Sequence, residues 1–234
     1  MAPAPSQLPL ALKLPVKTCL EDYIAEDKAV LLASLQRLLS EPDTQLVYLS
    51  GPADAGKTHL LSAICKLADE QHRLVMYLPL GEHQSFSPDI LESFEQADLV
   101  CLDDIDNIAG QSVWETALFH LFNRRRDSGR KLLISASSPV QQTAIELPHL
   151  KSRLAWGVSH SLKPLSDTQK KTLLQQRARQ LGMDLPDETV NFLLNHHSRH
   201  TGDLLSALDR LERASMAAMR KLTVPFTREV LGNH

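Results

Sequence analysis

The octapeptide GPADAGKT at positions 51–58 constrains this chain more than any other stretch. It fits G-x-x-x-x-G-K-[ST] and stands between a short apolar run, LVYLS, and a helix-patterned run, KTHLLSAICKLADEQ. Glycines let the backbone close around phosphate oxygens, and a helix that starts at the lysine turns its unpaired N–H groups and its dipole toward the same anion. The candidate nucleotide ligands here are Pro52, Ala53, Asp54, Ala55, Gly56, Lys57, Thr58 and His59. Lys57 is placed to reach the β- and γ-phosphates and the Thr58 hydroxyl to ligate Mg²⁺, so a nucleotide with Mg²⁺ is expected.

A turn of this kind needs a buried strand before it and a helix after it, and the rest of the chain supplies that setting. KAVLLASLQRLLSE at 28–41 has helical spacing and ends before Pro42. RLVMYLPL, DLVCLDDI and RKLLISAS are further apolar strands, and SVWETALFHLFNRRRDSG is a helix stopped by Gly129. Strands that are apolar on both faces and alternate with helices predict a parallel sheet covered on both sides. After LKPLS at 162–166 no apolar strand recurs, and four helical segments follow between Asp167 and Gly232. The fold expected is an α/β P-loop module over 16–161, its parallel sheet flanked by helices, and a small all-helical domain over 162–234.

The run LVCLDDID at 99–106 places two carboxylates at the end of a buried strand. Open α/β sheets bind ligands at such ends. Asp103 is expected to hold Mg²⁺ through its water shell and Asp104 to orient an attacking water, with Asp106 a cap or loop residue. Arg153, in LKSRLAWG, follows the last apolar strand. From spacing alone it reads either as one half of a surface salt bridge or as a cation for a transferring phosphoryl group.

Composition narrows the partners. Residues 1–161 carry 14 basic against 20 acidic side chains, and residues 162–234 carry 11 against 8. Neither half has the excess of cations that draws a protein onto nucleic acid, so contact with DNA is expected to be indirect or weak. Three widely spaced cysteines in apolar runs read as reduced thiols, and no apolar stretch approaches a membrane span. A cytoplasmic location without membrane contact follows as the expectation. The triplet Arg124–Arg126 reads as a solvated helix end, His196, His197 and His200 as surface residues, and Trp114 and Trp156 as packing residues.

The segments GPADAGKTHLL, DLVCLDDIDNIAG and LKSRLAWG, with the helical C-terminal domain, resemble the AAA+ module of the bacterial replication initiator DnaA from about residue 15 to 232. The resemblance implies an AAA+ fold whose C-terminal helices form the lid. It implies that the nucleotide is ADP or ATP, that Arg153 is an arginine finger, that Ser135 and Ser137 are candidates for the sensor-1 position, and that Tyr23 and Ile24 contact the adenine base. The family carries a second phosphate-sensing arginine where this chain has Gly202, and Arg199, one turn earlier, is the alternative cation for that contact. Weak intrinsic hydrolysis is the consequence expected.

An initiator-like module that stops at its lid is similar to the Hda-type regulators, DnaA homologues that inactivate the initiator. Those begin with a short Q-L-x-L-x-L peptide that docks on the sliding clamp of the DNA polymerase, and Gln7, Leu8, Leu10 and Leu12 match it within an expected flexible segment, 1–15. From the residues alone, these leucines serve equally well as an N-terminal strand of the core or as an extended bait. The resemblance implies the bait. It also implies DnaA and the clamp as partners, with a homo-oligomer left open, and negative regulation of initiation by stimulating ATP hydrolysis in DnaA. The alternative from another class is a DNA-acting AAA+ ATPase such as a helicase loader, which pairs the same P-loop with an arginine finger.

Overall fold

The computed structural model describes residues 19–25 and 28–232, so Gln7, Leu8, Leu10 and Leu12 lie outside the described residues. Contacts divide the chain into two compact units. Of the described residues, the first holds 19–21, 29–51 and 57–161, and the second holds 22–25, 28, 52–56 and 162–232.

The first unit is built on five parallel strands, β1 (Leu46–Ser50), β2 (Val75–Pro79), β3 (Leu99–Asp103), β4 (Lys131–Ala136) and β5 (Val158–Ser161), in the order β2-β3-β4-β1-β5. The first four are the apolar runs expected. Every residue of β1, β3 and β4 is buried, because helices cover both sheet faces. β5 has no counterpart in the sequence reading. It reads VSHS, three of its four side chains are exposed, and it pairs with β1 from Val47↔Val158 to Ser50↔Ser161. Since β4 lies between β1 and β3, the sheet brings the C-terminal ends of all three together. The P-loop, Ser135 and the Asp103–Asp104 pair occupy those ends.

Helices α1 (Lys28–Ser40), α2 (Lys57–Glu70), α3 (Ser112–Asp127) and α4 (Pro148–Leu154) accompany the sheet, with 3-10 turns at Leu80–Ser85, Pro88–Gln96, Ile105–Ile108 and Val140–Gln142. Tyr48, Leu102, Trp114, Leu118, Leu121 and Ile134 belong to one buried cluster between sheet and α3. Two buried charges organise this side. Glu115 accepts N–H bonds from Gly110, Glu146 and Leu147, fixing the chain that leads into α4. Arg125 departs from the expected solvated helix end: it is 2 % exposed and donates to the carbonyls of Phe94, Ala97, Asp98 and Lys131.

Gly157 lets the chain turn from α4 into β5. A Cβ there would lie 2.4 Å from Leu46 Cγ and 2.9 Å from the Leu46 carbonyl oxygen. Backbone cannot yield as a side chain does, so Gly157→Ala is expected to cost about 1–3 kcal/mol, read as a lower urea midpoint with an unchanged denaturant slope. A midpoint equal to wild type would show that β5 shifts freely.

The second unit carries α5 (Asp167–Gln180), α6 (Asp187–His196), α7 (Thr201–Ala218) and α8 (Val224–Leu231). Ser166 and Gln169 form a capping box that starts α5. Leu174, Val190, Leu193, Leu208 and Phe226 meet in its own core, and the Thr189 hydroxyl donates to the Leu222 carbonyl at 2.9 Å. No helix among the described residues is long and apolar enough to cross a membrane.

Candidate functional site

The P-loop leaves β1 with Gly51 N–H donating to the Ala136 carbonyl at 3.1 Å, which ties its root to β4. It then turns through two left-handed residues, Asp54 at φ 62° and Gly56 at φ 83°, before α2 begins at Lys57. Lys57 is buried and its Nζ donates to the Gly51 carbonyl at 2.9 Å, with the Asp104 carboxylate 3.7 Å away. Thr58 is exposed in the first turn of α2, and His59 Nε2 lies 3.2 Å from the Cys19 carbonyl.

The segment before α1 lies against this loop. The Tyr23 ring covers Gly56 so closely that a Cβ there would lie 2.8 Å from Tyr23 Cε2, and the Tyr23 hydroxyl donates to the Ala55 carbonyl at 3.3 Å. Only a glycine passes beneath the ring. Ile24 is half-buried beside it in sequence, and Asp22 accepts from Gln176 and Gln180 of α5 at 3.0 and 2.8 Å. Tyr23 is thus held between the P-loop and a segment anchored on the lid helix.

At the strand ends Asp103 is 4 % exposed and both carboxylate oxygens are engaged. Tyr77 donates to Oδ2 at 2.7 Å and the buried Ser135 hydroxyl donates to Oδ1. Ser135 Oγ in turn accepts the Asp104 N–H at 2.8 Å. Burial, with the adjacent Asp103 charge, pushes the Tyr77 phenol up, so it stays a donor across the ordinary pH range. Each oxygen of Asp103 keeps a second lone pair, so the carboxylate fits a hydrated Mg²⁺ that arrives with phosphate and keeps most of its water. Tyr77→Phe leaves a buried carboxylate oxygen short of a donor. We expect it to lower unfolding stability by about 1–3 kcal/mol, measured by urea titration; an unchanged midpoint would mean that water replaces the phenol.

Asp104 sits at φ 57° and turns away from the sheet. Burial and the Asp103 charge raise its pKa, and Lys57 partly opposes them. Of the two sensor candidates, Ser135 reaches the carboxylate pair, whereas Ser137 is exposed and its backbone N–H donates to Asp106.

Arg153 is in the last turn of α4. Its Nε donates to Asn123 Oδ1 at 2.6 Å, and its guanidinium carbon lies 4.7 Å from the Phe119 ring centroid and 5.7 Å from that of Trp156. It makes no ion pair among the described residues. The salt-bridge reading is therefore not what holds it. Trp156, expected to be a packing residue, is 62 % exposed, with Arg126 5.6 Å from its ring centroid and the Phe122 ring meeting it edge-on. It gives this corner an exposed apolar face among cations.

Gly202, the second residue of α7, has open space where a side chain would start. Arg199 pairs with Asp167 of α5. The contact from this part of the lid to the P-loop is made by His200, whose Nδ1 meets the Asp54 carboxylate. The sequence pattern does not single out Tyr77, Asn123, Phe119 or His200. The first three lie in a strand and a helix whose spacing signals packing alone, and His200 reads as surface.

Residues 29–161 match the family model of the bacterial DnaA ATPase domain, and residues 167–231 match that of the Hda lid domain. Domain III of the Thermotoga maritima replication initiation protein DnaA is a similar structure, at TM-score 0.78 and 21 % identity over 93 % of this chain and 97 % of that one. AMPPCP-bound DnaA from Aquifex aeolicus aligns at TM-score 0.71 and 18 % identity over 88 % and 68 %. The RuvB Holliday junction branch migration motor of Thermotoga maritima follows at TM-score 0.65 and 18 % identity, over 92 % and 72 %. These likenesses establish an AAA+ fold with a helical lid.

Proposed function

This chain belongs to the bacterial DnaA ATPase-domain family and carries an Hda-type lid, and on that premise we propose that it is a negative regulator of replication initiation that presents Arg153 to ATP held by DnaA. The observation that carries the reading is the state of Arg153. Its guanidinium is oriented by the Asn123 amide, the His149 carbonyl at 3.5 Å and two aromatic rings, and no carboxylate neutralises it among the described residues. A planar fork fixed at Nε and stacked on its face offers its remaining donors to phosphate oxygens. Charge spreads over the γ-phosphate oxygens during transfer, so an arginine delivered there from a second chain accelerates hydrolysis without covalent chemistry of its own.

The chain also binds a nucleotide, ADP or ATP. The AMPPCP held by its DnaA relative supports this, as does the phosphate-cradling turn at 52–56. Backbone N–H groups of the turn and Lys57 take the phosphates. Thr58 and Asp103 would hold Mg²⁺, which would neutralise phosphate charge, and Tyr23 and Ile24 would contact the base. Asp104 and Ser135 order the water side of the site. With Gly202 in place of an arginine, hydrolysis by this chain alone is slow and the bound nucleotide is mainly structural. The clamp contact through Gln7, Leu8, Leu10 and Leu12 rests on the sequence pattern alone.

The test is ATP hydrolysis by purified DnaA in the presence of DNA-loaded sliding clamp, with and without this chain preloaded with ADP or with ATP. Faster hydrolysis that requires the clamp is the expected result. Absence of stimulation in both nucleotide states, together with tight salt-sensitive binding to single-stranded DNA, would instead favour the DNA-acting ATPase.

A further inference from the structure

We propose that Glu115 is a positioning residue for Arg153: its buried carboxylate anchors the root of α4 and so sets the direction in which the guanidinium is presented. The inference rests on the finger reading above and adds to it the group that aims the finger.

Glu115, Phe119 and Asn123 follow one another at every fourth position of α3 and therefore share one helical face. All three touch α4 or the chain that enters it. Glu115 meets the root, where Oε1 accepts the Gly110 N–H at 2.7 Å and the Glu146 N–H at 3.0 Å. Its Oε2 accepts the Glu146 N–H at 3.1 Å and the Leu147 N–H at 2.7 Å. Phe119 meets the middle, with the His149 ring centroid at 6.3 Å and the Arg153 guanidinium carbon at 4.7 Å. Asn123 meets the tip through Arg153 Nε at 2.6 Å.

Of these contacts, the one at the root gives α4 its direction. Leu147 caps the helix without a side-chain bond, and Pro148 brings no N–H. Leu150 and Leu154 are fully buried, but apolar burial is non-directional and does not fix an axis. Lys151 Nζ donates to the Thr143 carbonyl at 2.9 Å from the end of a flexible stem. Glu115 is 2 % exposed and makes no ion pair among the described residues, so backbone N–H groups carry its charge. Gly110 follows the 3-10 turn Ile105–Ile108, whose two isoleucines are buried, so the anchor is firm on that side too. From Leu147 to Arg153 the helix runs about 9 Å, and a tilt of about 7° at the root moves Arg153 by about 1 Å. A misplacement of that size can cost about 100-fold in rate.

ATP hydrolysis by purified DnaA with DNA-loaded sliding clamp, titrated with the full chain, tests the assignment. Glu115→Gln turns an amide NH₂ toward either the Gly110 or the Leu147 N–H, and donor then faces donor. It is expected to lower the maximal stimulated rate about tenfold at an unchanged half-effect concentration. Glu115→Asp keeps the charge but draws it back by one methylene, and should lose about threefold. Loss of folded molecules alone does the reverse, raising the half-effect concentration and leaving the maximal rate. Leu35→Ala, on the buried face of α1, should behave that way, with a lower urea midpoint and the wild-type maximal rate. The proposal is overturned if either folded Glu115 variant reaches the wild-type maximal rate, or if Leu35→Ala loses as much of it as they do. Should Glu115→Gln fail to fold, Glu115→Asp decides. Arg153→Ala separates the two levels. If it abolishes stimulation while the Glu115 variants keep the full rate, the finger reading stands and this assignment falls; if it stimulates like wild type, or wild type does not stimulate, both fall.

Discussion

Arg153→Ala is expected to remove the stimulation of DnaA's ATP hydrolysis altogether, a loss of about 10³–10⁵ in the stimulated rate if the finger acts as in other phosphoryl-transfer pairs. Arg153→Lys should not restore it. A lysine is a point charge without the planar fork, and it cannot stack on Phe119 while donating to Asn123. Asn123→Ala keeps the charge and loses the bond that fixes its direction, so it should give a partial loss, about tenfold, in the maximal rate rather than in the concentration needed for half effect. Clamp binding, measured separately, should be unchanged in all three. Full stimulation by Arg153→Ala would remove the arginine from the mechanism.

The second large effect concerns stability. Arg125→Met should lower the unfolding free energy by about 3–5 kcal/mol, whereas Arg124→Ala and Arg126→Ala should each cost about 1 kcal/mol or less. Arg125 lies inside the sheet unit and its four acceptors are all backbone carbonyls, so the substitution leaves buried oxygens without donors. Burial lowers its pKa to about 10, well above neutrality, so the group removed is a cation. Arg124 and Arg126 pair with Glu95 and Asp127 at the surface, where water competes. Guanidinium unfolding at pH 7 measures all three. A loss below about 1 kcal/mol for Arg125→Met would mean that water or relaxed backbone satisfies those carbonyls.

The contrast among these three arginines shows where sequence reading succeeds and where it stops. Strands β1, β3 and β4 are legible because burial on both faces demands an unbroken apolar run. The P-loop is legible because its constraint is local, a strand, a turn and a helix within a few residues. β5 is not, since an edge strand with exposed side chains needs only backbone pairing with β1, and VSHS carries no periodic signal. Arg125 looks like its neighbours until the fold supplies four carbonyls. The side chains that Arg153 and His200 meet lie 30 and 146 residues away, so these contacts depend on chain topology that no local pattern encodes.

That topology also sets the order in which the molecule can be assembled. β1, the strand that carries the phosphate loop, pairs only with β4 and β5, both of which come much later in the chain. During synthesis the 80 residues between Ser50 and Lys131 must be added before β1 meets its first partner. At ribosomal rates that is a wait of about 4–16 s. The nascent protein therefore carries an unpaired, mostly apolar strand while 80 of its 234 residues are added, and the β2–β3 pair can form without it. The loop that defines the protein's chemistry becomes rigid late, on a sheet that has to be started from its other side.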